Sequence, residues 1–244
     1  KIDPDNKEIP PLYGKYWYAA GDIDKAYEYL SKAVKHKSKD SAVWYLYGMI
    51  LLSTDGTDKA VKALEKAVSL EPEFGLYRFR LAEIRFNSGM DYLDQLHDAL
   101  EKDPDNGWVY NLAALHYLKA NDLDEAKKQV LRARELLPHE LRILVNFAEI
   151  ERRRGNLDEV LPLLSGEDPD TLHATANLLV EDGRFDEADD WYRQALRRKP
   201  SDPEILTDCA ANCLERDLIS EADDLLARAI DYSNDERIYQ LIGI

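Results

Sequence analysis

The sequence predicts an all-α protein built from tandem pairs of helices, and three observations support that prediction. A pattern of large and small apolar residues returns along the chain at intervals of ~34 residues. Within each interval the large residues follow helical spacing, at i, i+3, i+4 and i+7. Gly, Asn and Pro stand between the helical stretches, where turns are expected. We therefore expect a stack of similar units, each burying its apolar face on its neighbours.

Three segments of the chain show the repeat most clearly. They read AVKALEKAVSLEP (60–72), AKKQVLRARELLP (126–138) and ADDWYRQALRRKP (188–200). Each has Ala first, a large apolar residue four positions later, Ala seven later and Pro twelve later. Because a second helical pattern precedes each segment, the repeating unit contains two helices.

Turn residues separate the two helices of a unit. Left-handed backbone, which Gly adopts without strain and Asn tolerates, is expected at five positions. These are Gly21, Gly89, Asn121, Gly155 and Gly183. The helix that follows should be capped by a side-chain oxygen, and the predicted caps are Asp22, Asp122 and Asn156.

The repeated residues resemble the tetratricopeptide repeat family, whose unit is a pair of antiparallel helices, A and B. The resemblance covers essentially the whole chain and implies a right-handed superhelical solenoid of such pairs. It divides the chain into seven tandem repeats, at 7–40, 41–74, 75–106, 107–140, 141–168, 169–202 and 203–235. Residues 1–6 then end a preceding repeat, and residues 236–244 begin helix A of an eighth.

This division predicts that the chain is cut from a longer array, although a chain with a short irregular cap also fits. Cut ends should expose apolar surface. At the C-terminus the expected exposed residues are Ile238, Tyr239, Leu241, Ile242 and Ile244. Self-association through the array ends is therefore one expected behaviour.

Small residues mark where the two helices of a repeat should approach closely. In helix A they are Gly14, Gly48, Ala82, Ala114, Ala148, Ala176 and Ala210, and in helix B Ala26, Ala60, Ala126, Ala188 and Ala222. Two repeats depart from the pattern. In 75–106 Tyr92 stands where helix B should have Ala, and in 141–168 Pro162 falls inside helix B and should leave it short and distorted.

Composition disfavours several classes of partner. With 48 acidic and 32 basic residues the net charge is −16, which repels the phosphates of nucleic acids and anionic membranes. No apolar run approaches the ~20 residues that cross a bilayer, so membrane insertion is not expected. We expect a soluble, cytoplasmic protein whose partners are proteins or peptides.

The sequence contains no recognisable catalytic, cofactor or metal motif, so we predict that the chain is not an enzyme. Its five His residues form no HExxH pattern and no zinc spacing with Cys. Cys209 and Cys213 lie one helical turn apart, at repeat positions where the family packs apolar side chains, and packing is favoured over a redox or metal pair. The acidic EADD segments at 187–190 and 221–224 are interpreted as matching a helix dipole rather than binding calcium.

The resemblance also implies a binding groove. In this family helix A lines the concave face, through positions 2, 5, 9, 12 and 13 of each repeat. The residues placed there include Tyr45, Met49, Leu76, Phe79, Phe86, Trp108, Asn111, Leu115, Leu118, Arg142, Arg152, Arg153, His173 and Asn177. Exposed aromatic residues beside Arg are typical of interaction hot spots.

Our hypothesis is a scaffold that binds a partner segment along repeats two to five. Apolar partner side chains would contact Phe79, Phe86 and Trp108, and Asn111 would hold the partner's backbone. A partner carboxylate would meet Arg152 or Arg153. Three alternatives stay open: several of these side chains pack on neighbouring repeats, the chain is a targeting or regulatory domain of a larger enzyme, or the array self-assembles.

Overall fold

The computed structural model describes residues 8–54, 56–166 and 168–243, and every regular element in those ranges is helical. The helices are α1 (Ile9–Ala19), α2 (Ile23–Lys35), α3 (Ser41–Thr54), α4 (Thr57–Leu70), α5 (Gly75–Asn87), α6 (Leu93–Lys102), α7 (Gly107–Lys119), α8 (Leu123–Leu136), α9 (Leu141–Arg153), α10 (Leu161–Leu164), α11 (Pro169–Glu181), α12 (Phe185–Arg198), α13 (Pro203–Glu215), α14 (Ile219–Ile230) and α15 (Glu236–Ile242). A 3-10 turn, Leu157–Glu159, lies between α9 and α10.

The predicted turn geometry is confirmed. All five predicted residues have positive φ, from 59° at Asn121 to 79° at Gly21. Asp22 and Asp122 each accept a hydrogen bond from the backbone N–H three residues later, so both caps form as expected. The prediction for Asn156 is wrong, because its side chain caps nothing and a 3-10 turn follows it instead of an α-helix.

The chain divides into two compact units, 1–113 and 114–244, with the boundary inside α7. In the first unit α1 packs on α2, α3 on α4 and α5 on α6, and successive pairs meet through α2 with α3 and α4 with α5. In the second unit α11 packs on α12 and α13 on α14, while α12 contacts α13 and α14 contacts α15. Each unit is thus a series of helix pairs whose cores lie between adjacent helices.

The irregular segment after α9 keeps its apolar face although its helix is broken. Pro162 lies in the first turn of the four-residue α10, which follows the 3-10 turn. Leu157, Val160 and Leu164 remain buried, at 3%, 1% and 1% exposure. The sequence prediction of a short, distorted second helix is confirmed, because proline cannot donate the hydrogen bond that a longer helix would need.

The two ends of the described chain differ in apolar exposure. Leu12 and Tyr16 on α1 are 62% and 61% exposed, whereas Ile50, at the position of Tyr16 in the next repeat, is 2% exposed. The expectation for Ile238 is wrong: it is 1% exposed and belongs to a core cluster with Leu206 and Leu226. Tyr239, Leu241 and Ile242 are half-buried, and Ile244 lies outside the described residues.

Candidate functional site

The residues of the predicted groove fall in both units. Tyr45 and Met49 lie on α3, Phe79 and Phe86 on α5, and Trp108 and Asn111 on the part of α7 that belongs to the first unit. Leu115, Arg142, Arg152 and Arg153 belong to the second. The two sets are described separately below.

Two of the predicted contact residues in the first unit are buried. Phe79 is 2% exposed, because its ring lies in a core cluster that includes Leu96 and Val109. The expectation that Phe79 is exposed is therefore wrong: the molecule's own helices already cover this ring and leave almost no surface for a partner. Asn111 is only 7% exposed, so its amide has little surface to offer a partner's backbone.

Other side chains around the same cluster keep part of their surface exposed. Leu76, Phe86, Tyr92 and Trp108 pack against it and are each half-buried. The Phe86 and Tyr92 rings meet edge to face, with centroids 5.1 Å apart and planes at 88°. We call these four residues the Phe86 surface. Leu76 and Phe86 lie on α5, Trp108 lies in the first turn of α7, and Tyr92 lies in the turn before α6. All four pack against the same core cluster.

Tyr92 was not among the predicted contact residues. Its position did carry a signal, because an aromatic ring replaces the small Ala expected at the start of helix B. A ring too large for a helix crossing has to lie elsewhere, and here it lies against Phe86. Partial burial raises the pKa of the Tyr92 phenol, which stays neutral at physiological pH.

Tyr45 and Met49 form a smaller half-buried region on α3. Tyr45 packs against a cluster that includes Leu64 and Leu81. Its ring also lies 5.1 Å from that of Tyr77, at a tilt of 31°. Tyr45 is therefore rigidly positioned by neighbours within the first unit.

The arginines of the second unit are engaged by the chain's own carboxylates. Arg152 Nε lies 2.8 Å from Glu149 Oε2, and Arg152 Nη2 lies 2.8 Å from Glu181 Oε2. Arg153 Nε lies 2.5 Å from Glu149 Oε1. Burial raises the pKa of Glu149, but the hydrogen bonds from both arginines outweigh it and hold that pKa below its ordinary value. Arg142 is exposed, with Nε 3.6 Å from Glu140 Oε1, and Leu115 is half-buried.

These ion pairs limit what the arginines can do. A partner carboxylate at Arg152 would have to displace Glu149 and Glu181 or share the guanidinium with them. Because Glu149 also holds Arg153, the local charge is already balanced, and the gain from one more carboxylate is small. The predicted carboxylate contact therefore has weaker physical support than the apolar surface.

His173 and Asn177 belong to a buried polar network in the second unit. His173 Nε2 lies 2.7 Å from Asp208 Oδ2, and Arg237 Nη2 lies 2.6 Å from Asp208 Oδ1. Tyr192 donates a hydrogen bond from its hydroxyl to Asn177 Oδ1 at 2.5 Å. His173 and Asp208 are 9% and 8% exposed, so this network joins α11, α12, α13 and α15 rather than facing a partner.

Comparison with known proteins identifies the class of this protein. The family model described as "Tetratricopeptide repeat" matches residues 18–77 and 179–243, and a second model with the same description matches 111–161. The chain belongs to the tetratricopeptide repeat family. Family membership supports a role as a protein-interaction scaffold. Among the described helices, none is both long and apolar enough to cross a membrane.

Particular relatives agree with this class. The chain is 35% identical over 267 aligned residues to a protein from Treponema pallidum (strain Nichols) named "TPR repeat-containing protein". That match covers 100% of this chain but spans only about a third, 33%, of the relative's length. A shorter match, 30% identical, covers 36% of this chain and 14% of the Saccharomyces cerevisiae "Peroxisomal targeting signal receptor".

A solved structure confirms the fold. A tetratricopeptide repeat protein from Parabacteroides merdae superposes with a TM-score of 0.77, covering 97% of both chains. Its sequence is 17% identical, so this likeness concerns the fold alone.

Proposed function

We propose that the chain is a non-catalytic scaffold that binds a peptide or an extended segment of a partner protein on the Phe86 surface. The observation that carries this proposal is the set of half-buried apolar side chains, Leu76, Phe86, Tyr92 and Trp108, fixed on one core cluster. Rigid aromatic side chains lose little conformational entropy on binding, and Trp and Tyr are enriched among interaction hot spots.

Two further observations support a peptide partner. A short match, over 36% of this chain, is to a protein named as a receptor for a peroxisomal targeting signal. The net charge of −16 disfavours nucleic acid and favours partners with basic or neutral segments. We propose that Tyr45 and Met49 extend the apolar contact, and that Arg142, Arg152 and Arg153 contribute little.

The test uses peptides selected for binding to the intact chain. A displayed library of random peptides is selected on the protein, and the affinity of each synthetic binder is measured by fluorescence anisotropy. The double variant Phe86→Ala/Trp108→Ala should weaken binding by about 30-fold or more, since hot-spot truncations cost ~2 kcal/mol or more. Arg152→Gln should change affinity by less than about threefold, because Glu149 and Glu181 already engage its guanidinium.

The matched control is Phe74→Ala. Phe74 is 43% exposed in the same unit but precedes α5 and lies outside the Phe86 surface. The Phe74→Ala substitution should leave the affinity for the peptides unchanged. Far-UV circular dichroism should show a native helix content for every variant. Unchanged affinity in the folded Phe86/Trp108 variant, or an equal loss in Phe74→Ala, would refute the proposed surface.

Self-assembly is a second candidate function, and one observation favours it. On α1, Leu12, Tyr13 and Tyr16 are 62%, 40% and 61% exposed, which is a large apolar area for one helix. We expect concentration-dependent oligomers in light scattering that Leu12→Ser/Tyr16→Ser abolishes. The control Ile219→Ser/Tyr232→Ser removes two other exposed side chains, at 53% and 57%, and should leave the oligomers intact. A monomer at all concentrations would exclude this function.

A further inference from the structure

Three buried metal-ligating side chains meet between α12 and α13. Cys209 and Cys213 lie on the same face of α13, one turn apart, and are 2% and 0% exposed. Asp189 on α12 is 7% exposed. One donor atom from each residue, a sulfur from each cysteine and a carboxylate oxygen of Asp189, lies within 4.8 Å of the other two. From their spacing alone, the two cysteines are expected to be ordinary core residues. The third donor, Asp189, lies on another helix, so its proximity can be recognised only from the structure.

The Asp189 carboxylate is incompletely satisfied. Its Oδ2 accepts a hydrogen bond from Arg193 Nε at 2.7 Å. Its buried Oδ1 accepts none from the described residues, although Arg216 Nη1 lies 3.2 Å away. That contact is an ion pair without hydrogen-bond geometry, so Oδ1 and Arg216 Nη1 both lack a hydrogen bond among the described residues, and the oxygen keeps a lone pair that can bind an ion.

The distances suit a tetrahedral ion after small side-chain movements. In zinc sites the metal–sulfur distance is about 2.3 Å, which places two sulfur ligands about 3.8 Å apart. Donor atoms within 4.8 Å of one another therefore need to move by only about 1 Å to reach this geometry. Rotation about the Cys side chains supplies such a movement without a change in the helices.

The neighbouring arginines do not prevent binding, because the reaction adds no net charge to the buried cluster. An ordinary cysteine thiol has a pKa of about 8.5, so both thiols carry protons at neutral pH. A divalent cation that replaces both protons brings two positive charges and releases two. Arg193 and Arg216 are also neutralised on their outer sides, by Glu221 at 2.7 Å and Asp186 at 2.9 Å.

An open cavity reaches one member of this cluster, Cys209. Its volume is about 400 Å³, and it is lined by Cys209 together with Arg193, Leu225 and Glu221. It is large enough for hydrated ions to enter and for a water molecule to occupy a fourth coordination position beside Cys209.

We propose that Asp189, Cys209 and Cys213 form a binding site for a thiophilic divalent cation of the zinc and cadmium class. Two S–H bonds are broken, two metal–sulfur bonds form, and two protons leave to solvent. Since the ligands come from α12 and α13, the bound ion links consecutive helix pairs of the second unit and stabilises that unit against unfolding.

The experiment titrates the reduced, metal-free full chain with CdCl2 and follows the ultraviolet thiolate-to-cadmium charge-transfer band. We expect saturation at one cadmium per chain, release of two protons measured with a pH indicator, and a higher melting temperature. Cys209→Ser and Cys213→Ser should each lower the affinity at least about tenfold and weaken the band. Competition with ZnCl2 should remove the band.

The role of the carboxylate is tested with a matched pair of variants. Asp189→Asn should weaken binding by about tenfold or more, while Asp190→Asn removes the same charge at the adjacent exposed position and should have no effect. The thiolate band reports on the site itself, so weak cadmium binding by exposed carboxylates does not mimic it. A chain without the band at saturating cadmium, or equal affinities in the wild type and in a folded Cys213→Ser variant, would overturn the proposal.

Discussion

Asp208→Ala should lower the free energy of unfolding by about 2–4 kcal/mol, because it removes the acceptor at the centre of a buried network. His173 Nε2 and Arg237 Nη2 lie 2.7 Å and 2.6 Å from the two Asp208 oxygens. Without that carboxylate His173 loses a buried hydrogen-bond partner and Arg237 loses an ionic one, and only Arg237, at 54% side-chain exposure, can turn to solvent. Urea denaturation followed by circular dichroism measures the change.

The loss of stability caused by Asp208→Ala should also depend on pH. Burial raises the pKa of Asp208, but the hydrogen bond with His173 and the charge of Arg237 outweigh it, so the pKa lies below its ordinary value. A carboxyl group with a lowered folded-state pKa stabilises the protein above the pKa of the unfolded state, and this contribution is lost as pH falls through the folded-state value. The stability difference between wild type and Asp208→Ala should therefore be full at neutral pH and shrink below about pH 4.

The control for both measurements is Asp190→Ala, which removes an exposed carboxylate from α12. Its effect should stay within about 0.5 kcal/mol. If Asp208→Ala were as mild as this control, or if its effect persisted undiminished at pH 3, the network would not have the stabilising role assigned to it.

Backbone features were the most predictable part of this protein. Gly21, Gly89, Gly155 and Gly183 were predicted to be left-handed because that conformation strains most other residues, and the requirement is local. Pro162 shortened its helix for an equally local reason. Asn156 failed as a cap because the segment after it is too irregular to form the α-helical turn that a cap needs.

Side-chain exposure was less predictable, as two residues at the same repeat position show. Tyr45 and Phe79 both occupy the fifth position, yet Tyr45 is half-buried and Phe79 is 2% exposed. Phe79 is covered by Leu96 and Val109, which belong to α6 and α7. A repeat pattern records which positions face a neighbouring helix on average, but the size of the neighbour's side chains decides how much surface is left.

Polar partners from distant repeats were the least predictable. The repeat position of His173 predicts a place in the groove. In the structure its partner is Asp208, which pairs in turn with Arg237, and the sequence pattern points to neither. The same holds for Asp189 beside the two cysteines. Such groups lie far apart in the sequence and meet only when the helices stack. Sequence motifs with short spacing therefore cannot predict these contacts.

Leu30→Ala should destabilise the first unit by about 2–5 kcal/mol, the range for truncating a fully buried leucine. Leu30 is 0% exposed, in the cluster formed with Ala26, Ala33 and Val43. It also lies against Gly14 on α1: a Cβ atom added to Gly14 would come within 2.6 Å of Leu30 Cδ2 and 3.2 Å of its backbone nitrogen. Gly14→Ala alone should therefore cost on the order of 1–3 kcal/mol by overpacking the crossing of α1 and α2.

These two changes should compensate each other. In the double variant the new methyl group at position 14 enters the space vacated by the leucine side chain, and only the approach to the Leu30 backbone nitrogen remains tight. The loss measured by urea denaturation should thus be smaller than the sum of the single losses by about 0.5–3 kcal/mol. Leu96→Ala, in a different cluster of the same unit, provides the control and should be additive with Gly14→Ala. Additivity of Gly14→Ala with Leu30→Ala as well would mean that the close approach of α1 and α2 at Gly14 does not depend on the leucine side chain.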